Sequence, residues 1–342
     1  MIALILAGGS GTRFWPLSTE QLPKQYLTIF EDKCMLKLTY ERLLHFLDKD
    51  KIFIVTSYEQ VPLIYDYLPE INTSQIIAEP CAMNTGACIA YSIAHFLWNY
   101  PRNEKVLIVP SDHYISDNNK FKEYVLLAES ISNLGNLITF GIQPKYPATG
   151  YGYIEKGDKH SDFSFHVKQF KEKPYKSLAE TFFKSGNYLW NSGIFCFSIF
   201  DIINAFDFYN KEIFEKAVEI SCIKDHKIKR ERYKTLEKIS IDVAIFEKSK
   251  NVIVIPVDFE WSDVGNWFAL SELMQKDDSN NYFRGKSFSL DAFGNSVFSD
   301  KFAALIGVED IILVETDKEI LVVRKDMAEF VKYVYMSYGS SK

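Results

Sequence analysis

Short apolar runs and longer amphipathic stretches alternate through the first third of the chain. The runs IALILA (2–7), KIFIVTS (51–57) and VLIVPSD (106–112) have the length and composition of strands. Between them, MLKLTYERLLHFL (35–47) and NTGACIAYSIAHFLWNY (84–100) have helical periodicity. Strands separated by helices form βαβ units around a parallel sheet, and such sheets bind ligands at the carboxyl ends of their strands. We therefore predict an α/β fold whose site residues directly follow the strands.

A glycine-rich turn, LAGGSGTRFWP (6–16), follows the first predicted strand. It lacks the Lys-Ser or Lys-Thr of a P-loop and does not fit the G-x-G-x-x-G dinucleotide fingerprint. Because Pro16 disfavours helical geometry at Trp15, we expect an extended loop here before any helix begins. The glycines serve either a tight turn or the exposure of backbone amides to phosphate. The two cations Arg13 and Lys24 favour phosphate, and a triphosphate in particular.

The composition limits the partners of the chain. Among its 342 residues the net charge is −6 and the lysines form no basic block, which argues against nucleic acid as a partner. No apolar run approaches the roughly 20 residues that span a bilayer, and the N-terminus lacks the basic flank of a signal peptide. We therefore expect no membrane partner and a cytoplasmic protein. The 5 cysteines never form a C-x-x-C pair, so neither a zinc site nor a disulfide framework is expected.

The rest of the chain suggests further divisions. Residues 141–197 mix short strands with aromatic turns, which predicts a substrate-facing subdomain inserted between elements of the sheet. The polar stretch 276–283 predicts a linker, and the short strands and closing helix after it predict a β-solenoid-like unit. We thus predict a catalytic domain over 1–275 and a small C-terminal domain over 284–342.

An ordered series of motifs resembles the sugar-1-phosphate nucleotidylyltransferase family. LAGGSGTRFWPLS followed by PKQY is similar to the signature of that family. The resemblance continues through EPCAMNT (79–85), VPSDHYI (109–115), TGYGYIE (149–155), FKEKP (170–174), GNYLWNSGIF (186–195), SIDVAIFEKS (240–249), WSDVGNW (261–267) and ALIGVEDIILVETD (304–317). It implies a Rossmann-like, glycosyltransferase-A-like fold: a mixed, mainly parallel sheet flanked by helices, with a small C-terminal β-rich unit.

The Trp-Pro-Leu-Ser form of the signature resembles the branch of the family that acts on mannose 1-phosphate. The resemblance implies in-line attack of mannose 1-phosphate on the α-phosphorus of GTP, which gives GDP-mannose and pyrophosphate with Mg²⁺ as cofactor. Since the attacking phosphate is already ionised at neutral pH, this reaction requires positioning and charge neutralisation rather than a general base. The partners implied are GTP and mannose 1-phosphate, and the resemblance allows a homodimer.

The resemblance also implies roles for individual residues. Arg13 would stabilise the triphosphate and the leaving pyrophosphate, and Lys24 would neutralise the α-phosphate. Asp112 and Asp263 match the family's metal-binding aspartates. The nucleotide contacts implied are Leu6, Ala7, Gly8, Gly9, Gly11, Thr12, Glu79, Pro80, Asn84, Thr85, Ser111 and Asp112. The sugar-phosphate contacts implied are Gly152, Tyr153, Glu172, Lys173 and Asn191.

Glu79 bears on the choice of base. Guanine presents its N1–H and its exocyclic amine side by side, and a carboxylate accepts from both. An exposed loop glutamate is the alternative interpretation. Where the family pattern is E-P-x-G-R-N-T, this chain has Ala82 and Met83 in place of the glycine and the arginine, which removes one cation near the nucleotide.

Two further hypotheses stay open at this point. The sugar could be another manno-configured phosphate such as a heptose 1-phosphate. Alternatively, the chain could bind nucleotide sugar without catalysis, although it retains Arg13, Lys24 and both aspartates. Because the sequence ends soon after the predicted closing helix, no isomerase module is expected.

Overall fold

The computed structural model describes residues 1–9, 11–30, 32–132 and 135–338. Two compact units are present, and the chain passes between them several times. The first unit comprises Met1–Gly8, Lys37–Ser111 and Ile115–Trp261, and the second comprises Gly9–Leu36, Asp112–Tyr114 and Ser262–Lys342. Ser10 of the glycine-rich turn and residues 339–342 of the predicted C-terminal domain lie outside the described residues.

The elements have the following bounds. The strands are β1 (Ile2–Leu6), β2 (Ile52–Ser57), β3 (Ile76–Glu79), β4 (Lys105–Pro110), β5 (Tyr114–Ile115), β6 (Leu137–Ile142), β7 (Tyr153–Ser161), β8 (Ser164–Lys171), β9 (Tyr188–Ser198), β10 (Val252–Val257), β11 (Trp261–Ser262), β12 (Tyr282–Phe283), β13 (Ser287–Leu290), β14 (Ser296–Phe298), β15 (Ala303–Ile306), β16 (Ile311–Glu315) and β17 (Ile320–Arg324). The α-helices are α1 (Met35–Leu44), α2 (Val61–Tyr67), α3 (Asn84–Phe96), α4 (Asn118–Ile131), α5 (Lys176–Ser185), α6 (Ile199–Tyr209), α7 (Lys211–Ser221), α8 (His226–Tyr233), α9 (Trp267–Leu273) and α10 (Val331–Tyr338). A π-helix spans Asp242–Phe246, and short 3-10 helices include Thr12–Phe14 and Lys24–Tyr26.

A nine-stranded mixed sheet forms the centre of the first unit, in the order β3-β2-β1-β4-β9-β6-β10-β8-β7. The strands predicted early in the chain, β1, β2 and β4, run parallel to one another, as expected for βαβ units. Leu6 at the end of β1 is level with Pro110 at the end of β4, and Ser57 of β2 is level with Glu79 of β3. The predicted α/β fold with a mixed sheet is confirmed, and the carboxyl ends of these strands carry the predicted nucleotide contacts.

The middle of the chain does not form the inserted subdomain that the sequence predicted. Strands β7, β8 and β9 belong to the same nine-stranded sheet, where β9 pairs antiparallel with both β4 and β6. Their apolar residues, such as Phe195 and Phe197, are buried in the core that the early strands also build. The prediction was wrong because short aromatic strands look alike whether they extend an existing sheet or form a new one.

The main core of the first unit explains the composition of α3. This helix is apolar around most of its circumference because it packs on the sheet and also against α7. Ile89 and Phe96 of α3 lie in one buried cluster with Val55 of β2 and Ile108 of β4. Within the described part of the chain, no helix has both the length and the apolar character that a membrane crossing needs.

The second unit contains the predicted C-terminal β-rich structure. Strands β12, β14 and β16 are parallel, and β13 pairs parallel with β15, so successive short strands stack as in a solenoid. Buried Asn295 donates from Nδ2 to Asn281 Oδ1 at 3.0 Å and to the Val308 carbonyl at 2.9 Å, which ties consecutive turns together. Asn281 lies in the predicted linker 276–283, so that stretch ends in packed structure.

The second unit also takes in the loop after the glycine-rich turn. Phe14 is fully buried, and its ring centroid lies 5.0 Å from that of Trp267 at the start of α9. Trp267 in turn lies 4.8 Å from the ring of Phe298, and its indole Nε1 donates to the carbonyl of Trp15 at 2.9 Å. These contacts fix the position of the segment that carries Arg13.

Candidate active site

The glycine-rich turn reverses direction at Gly11, which has the left-handed φ of 58°. A Cβ at Gly11 would lie 2.3 Å from Cβ of Lys24 and 2.7 Å from its backbone nitrogen, so only glycine fits this close approach. The 3-10 helix Thr12–Phe14 follows at once, and the expectation of an extended loop is therefore wrong for these three residues. Trp15, with ψ 137°, is extended as predicted before the cis Pro16. Proline excludes helical geometry only at the residue before it.

The start of the turn leaves donors free for an anion. The N–H groups of Gly8, Gly9 and Gly11 donate to no described residue. Arg13 is exposed and pairs with no carboxylate of the described residues. Thr12, next to it, is half-buried in the 3-10 helix. Unpaired amides together with an exposed guanidinium suit a polyanion such as triphosphate.

Lys24 is a buried cation held by two oxygens. It begins the 3-10 helix Lys24–Tyr26 after Pro23 and is only 5% exposed. Its Nζ lies 2.8 Å from Oδ2 of Asp112 and 2.6 Å from the backbone oxygen of Asp263. Burial of an ammonium is costly without such partners. The predicted catalytic lysine and both predicted metal-binding aspartates therefore meet in the second unit.

The two aspartates differ in their surroundings. Burial by itself raises the pKa of Asp112, but the charges of Lys24 and His113 outweigh burial and hold that pKa below its usual value. Asp263 accepts from the N–H of Gly265 at Oδ1 over 3.0 Å. A Cβ at Gly265 would lie 2.8 Å from Oδ2 of Asp263, so the glycine allows the carboxylate to fold back over the turn.

These carboxylates fit a metal that binds together with a phosphate. Among the described residues, no group of three His, Cys, Asp or Glu side chains could hold a metal ion alone. Mg²⁺ is commonly held by only one or two carboxylates and completes its coordination with substrate phosphates and waters. The donor chemistry of Asp112 and Asp263 therefore suits Mg²⁺ delivered with a nucleotide.

Glu79 ends β3 in the first unit and is only 3% exposed, which excludes the exposed loop glutamate considered from sequence. The phenol of Tyr233 donates to its Oε1 at 2.7 Å. Burial raises the pKa of Glu79 to about 7, although hydrogen bonds from Tyr233, the Met83 backbone and Cys88 act in the opposite direction. A carboxylate that is withheld from water and held by fixed donors is suited to accepting hydrogen bonds from a ligand.

Three further predicted nucleotide contacts lie at strand ends of the first unit. Leu6 ends β1, and its carbonyl accepts from the backbone N–H of Ser111 at 3.0 Å. Ala7 is fully buried and donates to the carbonyl of Val55 at 2.8 Å. The backbone of all three is thereby fixed where β1 and β4 end side by side.

The other three lie around the start of α3. Pro80 is buried directly after β3. Asn84 has the positive φ of 72°, and its side chain accepts from the N–H of Thr85 at 2.8 Å. The hydroxyl of Thr85 accepts from the N–H of Ile241 at 2.9 Å, which anchors the segment that leads into the π-helix.

Four of the five predicted sugar-phosphate residues converge in the first unit. A Cβ at Gly152 would lie 2.6 Å from Oε2 of Glu172 and 3.3 Å from Cβ of Asn191. Nζ of Lys173 lies 3.0 Å from Oε1 of Glu172, and the Lys173 side chain is largely exposed. The backbone N–H of Asn191 donates to the Gly152 carbonyl at 2.8 Å. The fifth, Tyr153, is fully buried, so only its main chain can face a ligand.

Asp242 belongs to this cluster, although the sequence analysis gave it no role. Asn191 donates from Nδ2 to Oδ1 of Asp242 at 2.8 Å, while its own Oδ1 accepts from Thr139 at 3.0 Å. Burial and the charge of Glu172 raise the pKa of Asp242 to about 7, against the opposing effects of Lys173 and Asn191. Asn191 is left with one N–H for a ligand and acts there as a donor.

Sequence reasoning thus missed Asp242 and Tyr233. Asp242 had a usable signal, because it is a lone carboxylate at the start of the apolar stretch DVAIF inside a quoted motif. Tyr233 had none, since it ends a strongly charged helix, HKIKRERY, and lies outside every motif. Only the fold brings its hydroxyl to Glu79.

Known families and proteins match nearly the whole chain. The family model described as "Nucleotidyl transferase" matches residues 2–280, and the model described as "MannoseP isomerase/GMP-like beta-helix domain" matches residues 285–336. Mannose-1-phosphate guanylyltransferase 2 of Escherichia coli O157:H7 is 34% identical over 350 residues, which cover 98% of this chain and 72% of that protein. Mannose-1-phosphate guanylyltransferase RfbM of Salmonella typhimurium is 36% identical over 342 residues, which cover 97% and 71%.

A solved structure is similar over the whole chain. It is a Thermus thermophilus protein described as a mannose-1-phosphate geranyltransferase, with a TM-score of 0.90, 30% identity and 99% of both chains covered. The similarity in sequence and in structure thus extends over nearly the whole chain. The chain therefore belongs to the nucleotidyl transferase family, as its motifs predicted.

Proposed function

We propose that this enzyme transfers GMP from GTP to α-D-mannose 1-phosphate and releases pyrophosphate. The relatives named above are mannose-1-phosphate guanylyltransferases, which supports both the base and the sugar. The observation that carries the proposal is the contact of Lys24 with Asp112 and Asp263, since it joins in one cluster the groups that nucleotidyl transfer requires. A phosphate nucleophile needs no base, so cations and positioning supply the catalysis.

The nucleotide would be held through charge and backbone donors. The free N–H groups of Gly8, Gly9 and Gly11 would bind phosphate oxygens, and the exposed guanidinium of Arg13 would neutralise the leaving pyrophosphate. Glu79 would accept from N1–H and the amine of guanine, which adenine and the pyrimidines do not offer together. Lys24 would then exchange its contact with Asp112 for an α-phosphate oxygen.

The metal we propose is Mg²⁺, held by Asp112 and Asp263. When bound with nucleotide, it supplies positive charge to the phosphate oxygens as negative charge develops there. The two side chains would thereby orient the nucleotide relative to Lys24. Chelation by EDTA should abolish turnover, and added Mg²⁺ should restore it.

The sugar phosphate would be gripped by the cluster around Gly152. Lys173 is the exposed cation of that cluster and would pair with the phosphate, while Glu172 would accept from sugar hydroxyls. Asn191 would donate its remaining N–H to a sugar oxygen, because Asp242 and Thr139 hold its amide in one orientation. This arrangement orients the attacking oxygen, and positioning of this kind makes a large contribution to phosphoryl transfer.

A matrix of nucleotides against sugar 1-phosphates, followed by pyrophosphate release, tests the proposal. We expect turnover with GTP and mannose 1-phosphate to exceed that with any other pair. A preference for manno-heptose 1-phosphate would replace the sugar but keep the reaction class, and absence of pyrophosphate from every pair would overturn nucleotidyl transfer. Arg13→Ala should reduce turnover strongly, whereas the matched control Arg284→Ala removes an exposed arginine that pairs with Asp300 and should not.

Three expectations complete the proposal. We propose a catalytic domain over 1–275 and a C-terminal domain over 284–342, which limited proteolysis near the intervening segment would test. A cytoplasmic location and a homodimer are the arrangements we expect for an enzyme with these substrates. Fractionation and sedimentation equilibrium would check them.

A further inference from the structure

The hydrogen bond between Tyr233 and Glu79 joins two buried groups that lie 154 positions apart in the sequence. Tyr233 is the last residue of α8 and is fully buried, and Glu79 is the last residue of β3. The Oη–Oε1 distance of 2.7 Å is that of a well-formed hydrogen bond from a hydroxyl to a carboxylate. Since both groups are fixed at the ends of regular elements, the bond sets the plane of the carboxylate.

The other carboxylate oxygen lies toward Gly8. A Cβ built on Gly8 would stand 3.8 Å from Oε2 of Glu79, an ordinary van der Waals distance, so that oxygen borders the space beside Gly8. A carboxylate has about four lone-pair positions; Tyr233 occupies one on Oε1, and the Met83 backbone and Cys88 also donate to this carboxylate. The acceptor capacity that is left on the side of Gly8 is available to a base that binds beside that residue.

The groups that face Glu79 are neutral. Cys88 and Tyr91 face it from α3, Tyr233 faces it from α8, and Cys81 and the Met83 backbone lie in the segment that follows it. Among the described residues no Lys or Arg side chain forms an ion pair with Glu79, and Met83 stands where the family pattern has an arginine. The ionised carboxylate is therefore stabilised by neutral donors, of which Tyr233 contributes most.

We propose that Tyr233 is a positioning residue for base recognition, whose hydroxyl orients Glu79 so that the side of the carboxylate next to Gly8 meets the N1–H and exocyclic amine of guanine. This inference rests on the proposed function and assigns to Tyr233 a role that needs no contact with substrate. Removal of the hydroxyl leaves the buried carboxylate without its main donor, which favours its protonated form. A protonated carboxyl accepts less well and adds a donor where guanine also donates.

The experiment compares Tyr233→Phe with wild type and with the control Tyr91→Phe, which removes a neighbouring hydroxyl that accepts from Lys229 at 3.4 Å. The kcat/KM values for GTP and for ITP, which lacks the exocyclic amine, are measured across the pH range in which Glu79 titrates. We expect Y233F to lower kcat/KM for GTP about tenfold at neutral pH, to shift the midpoint of its pH profile upward and to shrink the preference for GTP over ITP. The KM for mannose 1-phosphate and the Y91F profile should stay as in wild type.

Substrate phosphates titrate alike in all variants, so a difference in midpoint arises from the protein. Folded Y233F with a wild-type midpoint and a wild-type GTP/ITP ratio would overturn the inference. If Y233F does not fold, 3-fluorotyrosine at position 233 retains the hydroxyl but donates more strongly, and it should shift the midpoint downward; an unchanged midpoint is again the contrary result. Failure of the proposed function is a different outcome, since wild type itself would then show no GTP turnover.

Discussion

The buried ammonium of Lys24 lies 2.8 Å from the partly exposed carboxylate of Asp112 and makes an ion pair between residues 88 positions apart. With Asp263, Lys24 instead contacts the backbone oxygen of the aspartate. The carboxylate of Asp112 thus stabilises the folded protein in addition to any role in metal binding. If the side chain of Asp263 is removed, by contrast, Lys24 keeps its hydrogen bond to the backbone oxygen of residue 263. The two aspartates, which the sequence places in equivalent roles, should differ in their effect on stability.

Asp112→Ala should lower the free energy of unfolding by about 2 kcal/mol, because it leaves a buried ammonium without its carboxylate. Asp263→Ala should cost less, about 1 kcal/mol, because the backbone oxygen that Lys24 contacts is kept. Both variants should lose Mg²⁺-dependent pyrophosphate release. Urea denaturation and the pyrophosphate assay check this, with Asp258→Ala, an exposed partner of Lys120, as control. Equal losses of stability in the two variants would contradict it.

The stabilisation that the Lys24–Asp112 ion pair contributes should depend on pH. Because the pKa of Asp112 is below its usual value, the stabilisation is present above the unfolded-state pKa and is lost as the pH falls through the folded-state pKa. The difference between wild type and D112A should therefore shrink toward low pH.

Gly11→Ala should destabilise the second unit strongly, by about 2 kcal/mol or more, because it combines left-handed backbone with a Cβ inside the contact radius of Lys24. Gly9→Ala is the matched control, since a Cβ there meets nothing within 4 Å. Its melting temperature should stay near that of wild type, even if a methyl group among the phosphate-binding amides raises the KM for GTP. Equal melting temperatures of G11A and wild type would show that the turn has another conformation.

The sequence predicted those parts of the fold that depend on the local periodicity of apolar residues. The early strands and helices have clear periodicity, and β1, β2, β4 and α3 form where the sequence places them. The sheet order could not be predicted, because β9 pairs with both β4 and β6 through contacts between distant residues. Local periodicity also did not predict the 3-10 helix Thr12–Phe14 in the glycine-rich turn, because that helix depends on the burial of Phe14 against Trp267.

The same distinction applies to the candidate site: the sequence identifies some of its residues, and only the structure shows the contacts between them. Lys24, Asp112 and Asp263 could be named because the motifs that contain them are specific, but their mutual contact is a result of the fold. Tyr233 acts on Glu79 from a helix with no motif, so its part in the site follows only from the structure.

Gly152→Ala should impair use of the sugar phosphate. Its Cβ would stand 2.6 Å from Oε2 of Glu172, and that side chain would have to move away from its present position beside Lys173. Because the end of a glutamate side chain moves easily, the melting temperature should change little, while the KM for mannose 1-phosphate rises about tenfold. Gly150→Ala, where a Cβ meets nothing within 4 Å, should change neither quantity. A wild-type KM in G152A would remove Glu172 from the sugar site.

Asp242→Asn should also act on the sugar phosphate. The amide has the same shape, but it no longer provides two acceptor oxygens, so the orientation of Asn191 is held less firmly. We expect the KM for mannose 1-phosphate to rise about tenfold, with the KM for GTP within about twofold of wild type. Asp207→Asn, an exposed aspartate on α6, is the control. Equal effects on both substrates would indicate a general loss of structure instead of a role at the sugar.

Glu79→Gln should make the protein more stable at pH 8 than wild type, by about 2 kcal/mol. Burial raises the pKa of Glu79 to about 7, so the folded state binds a proton that the unfolded state has already released. Wild type therefore loses stability as the pH rises from the ordinary glutamate pKa to about 7, and the uncharged glutamine does not. Urea denaturation at pH 5 and pH 8 should show the advantage of E79Q increasing with pH. Glu59→Gln should show the opposite trend, because the hydrogen bond and charge of Arg230 outweigh burial and lower the pKa of Glu59. Parallel pH dependences of E79Q and wild type would mean that Glu79 is ionised throughout this range.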